Sequence, residues 1–198
     1  MMDPLVTGKK YDAFAQLWHN QHENSHYGLS QVEKAVSYCE NKGDMLDVGC
    51  GCGGRIIKSV QREGFDVHGI DVSAGMIDLA KRLHPDVVFE HGNICTWSST
   101  KKFDLIVAWD SIFHLPLDMQ EPVITKLCKL LNKSGIFIYT FGDAIGEHES
   151  VWNDEVFYYS SIGINENLRI LMKNGCEVKH LELDQYPFKH VYAIVKKL

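Results

Sequence analysis

The chain has 198 residues, the usual length of one compact domain with some appended structure. Hydrophobic residues make up 45% and charged residues 23%, which excludes an intrinsically disordered chain. Twenty basic residues stand against 26 acidic ones, and the net charge of -6 argues against a broad basic face for nucleic acid. Because no apolar run approaches the roughly 20 residues of a membrane-spanning helix, we expect a cytoplasmic protein without nucleic-acid or membrane partners.

The cysteines and a group of three histidines are the candidate metal ligands of the chain. The six cysteines include no CxxC pair, so we expect reduced thiols. Zinc at Cys50 and Cys52 would need two further ligands, and the sequence offers none at a suitable spacing. On one continuous helix His19, His22 and His26 would share a face, but the Asn, Ser and Gly at 24, 25 and 28 predict that the helix ends before the third. We therefore predict no metal site, with these histidines shaping a substrate pocket as the alternative.

Apolar runs and apolar periodicity predict alternating strands and helices. Strands are predicted over 44–49, 65–70, 87–91, 103–109 and 135–141, with helices around 56–60, 76–83 and 123–131 between them. A helix around 164–172 and two strands, 176–186 and 189–198, follow. The connection between these last two strands is so short that they must be antiparallel neighbours.

This alternation predicts an α/β fold, a doubly wound and mostly parallel seven-stranded sheet with an antiparallel C-terminal hairpin. We expect a single domain over 1–198. Residues 1–42 carry two helical patterns, around 13–19 and 32–40, and form a helical cover over the sheet. Residues 142–163 are aromatic, and we expect an irregular, lid-like insert that closes over a ligand, or else packs under itself.

The most informative segment is LDVGCGCGGRI, residues 46–56, where a predicted strand is followed by four glycines and a helix. Glycines allow a tight turn and close backbone approach, and the helix N-terminus attracts an anionic ligand group. Gly49, Gly51 and Gly54 also fit the G-x-G-x-x-G spacing of dinucleotide sites. The turn alone therefore leaves a nucleotide (NAD)-dependent oxidoreductase as an alternative.

Two carboxylates narrow the choice of ligand. Asp71 ends the second strand about 20 residues after the glycines, the spacing at which a carboxylate binds the ribose hydroxyls of NAD or any other adenosine. Asp47 lies two residues before the first glycine, where it would repel a pyrophosphate and attract an ammonium and a sulfonium. Together they favour a cationic adenosyl ligand.

Four segments, LDVGCGCGGRI, GIDVSAGMIDLAKR, EHGNICTW and FDLIVAWDSIFHL, resemble successive motifs of the class I S-adenosylmethionine-dependent methyltransferases. The resemblance covers nearly the whole chain and implies a Rossmann-like methyltransferase fold, S-adenosyl-L-methionine as cofactor and a small-molecule methyl acceptor. It also implies the residues that hold the cofactor: Asp47, Gly49 and Gly51 at the methionine portion, Asp71 at the ribose, Val72, Met76, Asn93 and Ile94 around adenine, and Trp109 as the floor.

Two details of this resemblance concern single residues. Asn93 stands where the family often has aspartate, and its side-chain oxygen can still accept from the adenine amino group. The string YDAFAQLW resembles the cover helix of many small-molecule methyltransferases, which implies that Tyr11 reaches the cofactor carboxylate and that Trp18 lies nearby. The alternative is that both are core aromatics of that helix.

Catalysis by such an enzyme needs little from the protein, because a sulfonium is already an activated methyl donor. A base is required only when the acceptor holds a proton that it does not release unaided. The loop after the fourth strand and the insert supply the catalytic candidates, His114, Asp110 and Tyr158, with His114 first. Alternatively, His114 only orients the acceptor, or the protein is a non-catalytic adenosyl-ligand binding module.

Overall fold

The computed structural model describes residues 3–198 and is built around one seven-stranded sheet. The strands are β1 Asp44–Val48, β2 Asp66–Asp71, β3 Val88–His91, β4 Phe103–Ala108, β5 Leu131–Gly142, β8 Cys176–Gln185 and β9 His190–Lys197, in the order β3-β2-β1-β4-β5-β9-β8. Strands β1 to β5 pair in parallel, and β9 is antiparallel to both β5 and β8. The predicted mostly parallel sheet with a C-terminal antiparallel hairpin is confirmed.

Four helices connect the strands of this sheet: α3 Arg55–Arg62, α4 Ala74–Leu83, α5 Gln120–Leu130 and α6 Gly163–Lys173. Their apolar faces cover both sides of β4, whose Leu105, Ile106 and Val107 are fully buried. The near-continuous apolar run of β4 is typical of a central parallel strand. Over residues 3–198, the helices include none that combines the length and apolarity needed to cross a bilayer.

Two further helices, α1 Pro4–His22 and α2 Leu29–Ser37, precede the sheet. Helix α1 begins at Pro4, next to the capping Asp3 carboxylate, and so starts well before the predicted pattern. It ends at His22, so His26 lies outside it, as predicted. Asp12 joins α1 to α4, because its Oδ1 accepts from Ser73 Oγ (2.6 Å) and from the Gly75 N–H (2.9 Å).

Residues 142–163 form a regular element, and the expectation of an irregular stretch there is wrong. Strands β6 Ile145–Trp152 and β7 Glu155–Ile162 pair antiparallel in a separate two-stranded sheet. The connecting Asn153 and Asp154 have positive φ (50° and 61°), the backbone that a two-residue hairpin turn requires. Ser160 Oγ donates to the Leu115 carbonyl (2.6 Å), which fixes this hairpin to the loop after β4.

Candidate active site

A cavity of about 310 Å³ opens at the carboxyl ends of β1, β2 and β4, beneath α1. The sheet order reverses between β1 and β4, and ligands of open α/β sheets bind at such a switch point. The lining of this cavity includes all the predicted cofactor residues: Tyr11, Trp18, Asp47, Gly49, Gly51, Asp71, Val72, Met76, Asn93, Ile94 and Trp109. It also includes two of the three catalytic candidates, Asp110 and His114.

The glycine turn is built from left-handed backbone at Gly49 (φ 70°) and Gly51 (φ 54°). At Gly49 a side chain is excluded, because a Cβ would lie 2.3 Å from Ser111 Cβ. At Gly51 a Cβ would meet only the Met76 sulfur, 4.0 Å away, so the backbone faces open space. The first glycine therefore lets the loops approach each other, and the second leaves room for a ligand.

Asp71 holds this turn in place from the end of β2. Its Oδ2 accepts from the Gly51 N–H (2.8 Å), and its Oδ1 accepts from the Ser73 N–H (2.8 Å). Burial raises the pKa of Asp71, and these backbone hydrogen bonds partly offset the rise. Each carboxylate oxygen keeps a free lone pair for a hydroxyl group of a ligand.

Asp47 is a second carboxyl, buried and only 4% exposed, at the end of β1. Burial and then the nearby charge of Asp71 raise its pKa to about 7, while Arg55 acts in the opposite direction. A cation placed beside Asp47 would favour the carboxylate and lower this pKa. The cavity therefore offers a site for a positive group.

The remaining predicted cofactor residues form the other walls. Asn93 Oδ1 accepts from the Cys95 N–H (2.9 Å), so the oxygen expected to bind adenine already has one partner and keeps one lone pair. Trp109 is 5% exposed, and its indole N–H has no acceptor within residues 3–198. The indole nitrogen lies against Gly28, where an added Cβ would be 2.7 Å from it, so this donor is packed against backbone and is not open to the cavity.

His114 and Tyr11 meet across 103 residues of sequence. The Tyr158 carbonyl can only accept, so His114 Nδ1 carries the proton of their 2.8 Å hydrogen bond. In the neutral ring Nε2 is then an acceptor, and the Tyr11 hydroxyl donates a hydrogen bond to it, with 3.2 Å between the oxygen and the nitrogen. Because burial lowers the pKa of His114, the neutral form is favoured. The arrangement leaves an unprotonated Nε2 at the cavity wall.

The other two catalytic candidates have different surroundings. Asp110 has positive φ (48°), and its Oδ1 accepts from His190 Nε2 (2.9 Å), whose Nδ1 bonds Asp184 Oδ1 (2.6 Å). Burial lowers the pKa of His190, but the two carboxylates outweigh this and raise it, so Asp110 lies in an ion pair. The Tyr158 hydroxyl bonds Glu147, away from the cavity lining. A catalytic role for either residue stays a prediction.

The cavity also has lining residues that sequence reasoning missed, among them Thr7, Glu23, Tyr27 and Arg55. His19 and His22, which the sequence analysis named as alternatives for shaping a substrate pocket, line it too. Arg55 stands in the quoted glycine motif and could have been found there. The others come from α1 and the loop after it, and only the packing of this cover brings them to the site. Within the described residues, groups of three His, Cys, Asp or Glu side chains that could hold a metal are absent. The expected lack of a metal stays a prediction.

Comparisons with known proteins agree with this geometry. Residues 45–135 match the family model of a methyltransferase domain. The chain is 29% identical over 138 residues to phosphoethanolamine N-methyltransferase of Plasmodium falciparum (67% of this chain, 51% of that protein). It is 32% identical over 149 residues to trans-aconitate 2-methyltransferase of Escherichia coli (70% and 58%). The chain thus spans about half the length of the curated relatives it matches.

The fold is also that of a solved methyltransferase. The structure of magnesium protoporphyrin IX methyltransferase from Synechocystis PCC 6803 with bound S-adenosylmethionine superimposes with a TM-score of 0.73 at 15% identity, covering 100% of this chain and 99% of that one. At this identity the likeness concerns the fold alone. The matched segment and the shared fold are both those of methyltransferases, and they support the resemblance to class I S-adenosylmethionine-dependent methyltransferases that the sequence motifs carry.

Proposed function

We propose that this chain transfers a methyl group from S-adenosylmethionine to a small-molecule acceptor. The observation that carries the proposal is the pair of carboxyls, buried Asp47 and half-buried Asp71, on either side of an open glycine turn. An NAD-dependent oxidoreductase is disfavoured, because a pyrophosphate at this turn would lie against Asp47. Phosphoethanolamine and trans-aconitate, in the names of two relatives, are small molecules and support a small acceptor.

The residues present fit this cofactor. Asp71 has lone pairs left for the ribose hydroxyls, Asp47 suits the ammonium, and the backbone at Gly51 is open. Asn93 Oδ1 keeps one lone pair for the adenine amino group. When bound, S-adenosylmethionine supplies an electrophilic methyl group on a positively charged sulfur.

His114 is the group best placed to take a proton from the acceptor. Its Nδ1–H is fixed by the Tyr158 carbonyl, so its Nε2 lone pair faces Tyr11 at the cavity wall. An acceptor N–H or O–H that replaces the Tyr11 hydroxyl at Nε2 can pass its proton to the imidazole as the new bond to carbon forms. Tyr11 is then a positioning residue that holds the ring when no acceptor is bound.

The hairpin β6–β7 is well placed to act as the proposed lid. Phe157 is buried against the Tyr11 ring, with centroids 4.9 Å apart, and Trp152 packs edge-on against Trp18 at 5.6 Å. Lys10 donates to the Val156 carbonyl and so joins α1 to the hairpin. These contacts support a role for residues 142–163 in keeping water away from the Tyr11–His114 pair.

Thermal shift with two ligands tests the cofactor. S-adenosylhomocysteine at about 100 times its dissociation constant is expected to stabilise the fold by about 2.7 kcal/mol, and NAD is expected to leave the melting temperature unchanged. Stabilisation by NAD alone would contradict the proposal. A labelled-methyl screen over small metabolites follows, because a chain that binds the ligand and methylates none of them is better described as a binding module.

Cofactor affinity is expected to depend on pH through Asp47. Its pKa is about 7 in the free protein, and an adjacent ammonium favours the carboxylate, so binding releases a proton below that pH. Affinity for S-adenosylhomocysteine should therefore rise up to about tenfold per pH unit below the pKa and level off above it. Calorimetry across this range measures the effect. Methylthioadenosine, which lacks the amino-acid end, and the Asp47→Asn variant should both give flat profiles.

A further inference from the structure

Lys126 is a half-buried cation of α5 that lies outside the lining of the cavity. Its ammonium donates three hydrogen bonds, to the main-chain carbonyls of Ile94 (2.6 Å), Cys95 (3.0 Å) and Trp97 (2.7 Å). An ammonium has three N–H groups, so these bonds use all of its donors. The next residue of α5, Leu127, is fully buried in the core, so the lysine side chain extends from a firmly packed helix.

The segment that Lys126 binds begins with Asn93, a predicted cofactor residue of the cavity lining that follows β3. Residues 93–97 form a tight turn, in which the Asn93 carbonyl accepts from the N–H groups of Thr96 (3.0 Å) and Trp97 (2.8 Å). A single helical turn leaves its last carbonyls without partners inside the turn, and a lysine side chain can satisfy them. The three bonds from Lys126 therefore hold this turn against α5.

One peptide group links Lys126 to the Asn93 side chain. The carbonyl of Ile94 and the N–H of Cys95 belong to the same planar peptide group. Lys126 donates to that carbonyl, and that N–H donates to Asn93 Oδ1 at 2.9 Å. A charged donor at the carbonyl polarises the peptide group and strengthens the hydrogen bond that its N–H donates. Lys126 thereby stabilises the orientation of the Asn93 amide in which the oxygen lies at the Cys95 N–H.

This orientation bears on the base of the bound cofactor, a step that rests on the proposed function. An amide oxygen with one lone pair left accepts from the amino group of adenine, whereas it repels the oxygen of a purine that carries a carbonyl at the same position. Rotation of the Asn93 amide would present its NH₂ group instead and remove this preference. We propose that Lys126 is a positioning residue that makes the cofactor site selective for an aminopurine, because it holds Asn93 as a hydrogen-bond acceptor.

Calorimetry with two ligands that differ at the amino edge of the base tests this role. S-adenosylhomocysteine is compared with its deaminated analogue, S-inosylhomocysteine, on wild type, Lys126→Met and the matched control Lys129→Met, whose lysine is exposed on the same helix. Wild type and Lys129→Met should bind the adenine form about 10- to 100-fold more tightly. Lys126→Met should bring this ratio close to one, mainly by weakening S-adenosylhomocysteine. The ratio is insensitive to the folded fraction, because both ligands are measured on the same sample.

Two further variants keep the test decisive. Lys126→Gln retains part of the donor set and should give an intermediate ratio, and it replaces Lys126→Met where that variant does not fold. Asn93→Ala removes the accepting oxygen and should abolish the preference by itself, so adding Lys126→Met to it should not change the ratio further. A further change in the double variant would mean that the lysine acts on the ligand by another route, and it would overturn the inference.

The outcomes separate this inference from the proposed function. If wild type binds neither ligand, the proposed function and the inference fall together. If Lys126→Met weakens both ligands equally and keeps the wild-type ratio, the cofactor assignment holds and the positioning role of Lys126 is overturned. A wild-type ratio of one would overturn the role as well, while binding of S-adenosylhomocysteine would still support the proposed function.

Discussion

Replacement of His114 by alanine is expected to lower the turnover number about 100- to 10,000-fold, the usual contribution of a general base. Cofactor affinity should change little, because His114 is not among the residues proposed to bind the cofactor. Steady-state kinetics with the acceptor found in the methyl screen, together with calorimetry for S-adenosylhomocysteine, measures both quantities. His148→Ala is the matched control, since this exposed histidine lies on the hairpin that His114 contacts and stacks on Tyr159.

The pH profile distinguishes a base from a residue that only orients the acceptor. Burial lowers the pKa of His114, so wild-type turnover should stay constant through neutral pH and fall only on the acid side of the ordinary histidine value. The direction follows because the neutral imidazole is the active form and protonation removes it. A slow His114→Ala enzyme with the same acid limb as wild type would assign the limb to another group and leave His114 an orienting role.

Replacement of Asp71 by alanine is expected to weaken binding of S-adenosylhomocysteine about 10- to 100-fold, the effect of losing about 1.5–3 kcal/mol of charge-assisted hydrogen bonding. The same change should lower the free energy of unfolding by about 1–3 kcal/mol, because the Gly51 and Ser73 N–H groups both lose their acceptor. Calorimetry on the folded protein and denaturant unfolding measure the two effects separately.

Two further variants separate the effect of Asp71→Ala on ligand affinity from its effect on stability. Asp71→Asn keeps one carbonyl oxygen for a backbone N–H, so it should recover part of the stability while binding the ligand weakly. Asp66→Ala removes an exposed carboxylate at the opposite end of β2 and should change neither quantity. Wild-type affinity in folded Asp71→Ala would show that the ribose binds elsewhere.

The central strands of the sheet could be predicted from the sequence because β1, β4 and most of β5 are buried on both faces. The apolar runs of β4 and β5 have no polar alternation, and glycines or prolines end most of the helices between the strands. The residues predicted to hold the cofactor could be selected for a related reason. The glycine turn and Asp71 are local signals, and chain connectivity alone brings the carboxyl ends of adjacent strands together.

The hairpin β6–β7 could not be predicted by the same signals. Residues Ile145 to Val151 of β6 are all exposed, so the strand has no buried face to impose an alternating apolar pattern. The remaining signal was Asn153-Asp154, a weaker turn pair than the Asn-Gly that marks most such hairpins. The Tyr11–His114 contact depends on how α1 packs on the sheet, and no local pattern encodes that packing.

The partner that fixes the His114 tautomer is the main-chain carbonyl of Tyr158, not a side chain. Substitutions at position 158 cannot delete that acceptor while β7 keeps its backbone course. Side-chain substitutions along the hairpin therefore leave the orientation of the imidazole unchanged, as long as the backbone of β7 keeps its position. Changes of hairpin sequence can alter the surface around the proposed acceptor site without disturbing the imidazole beneath it.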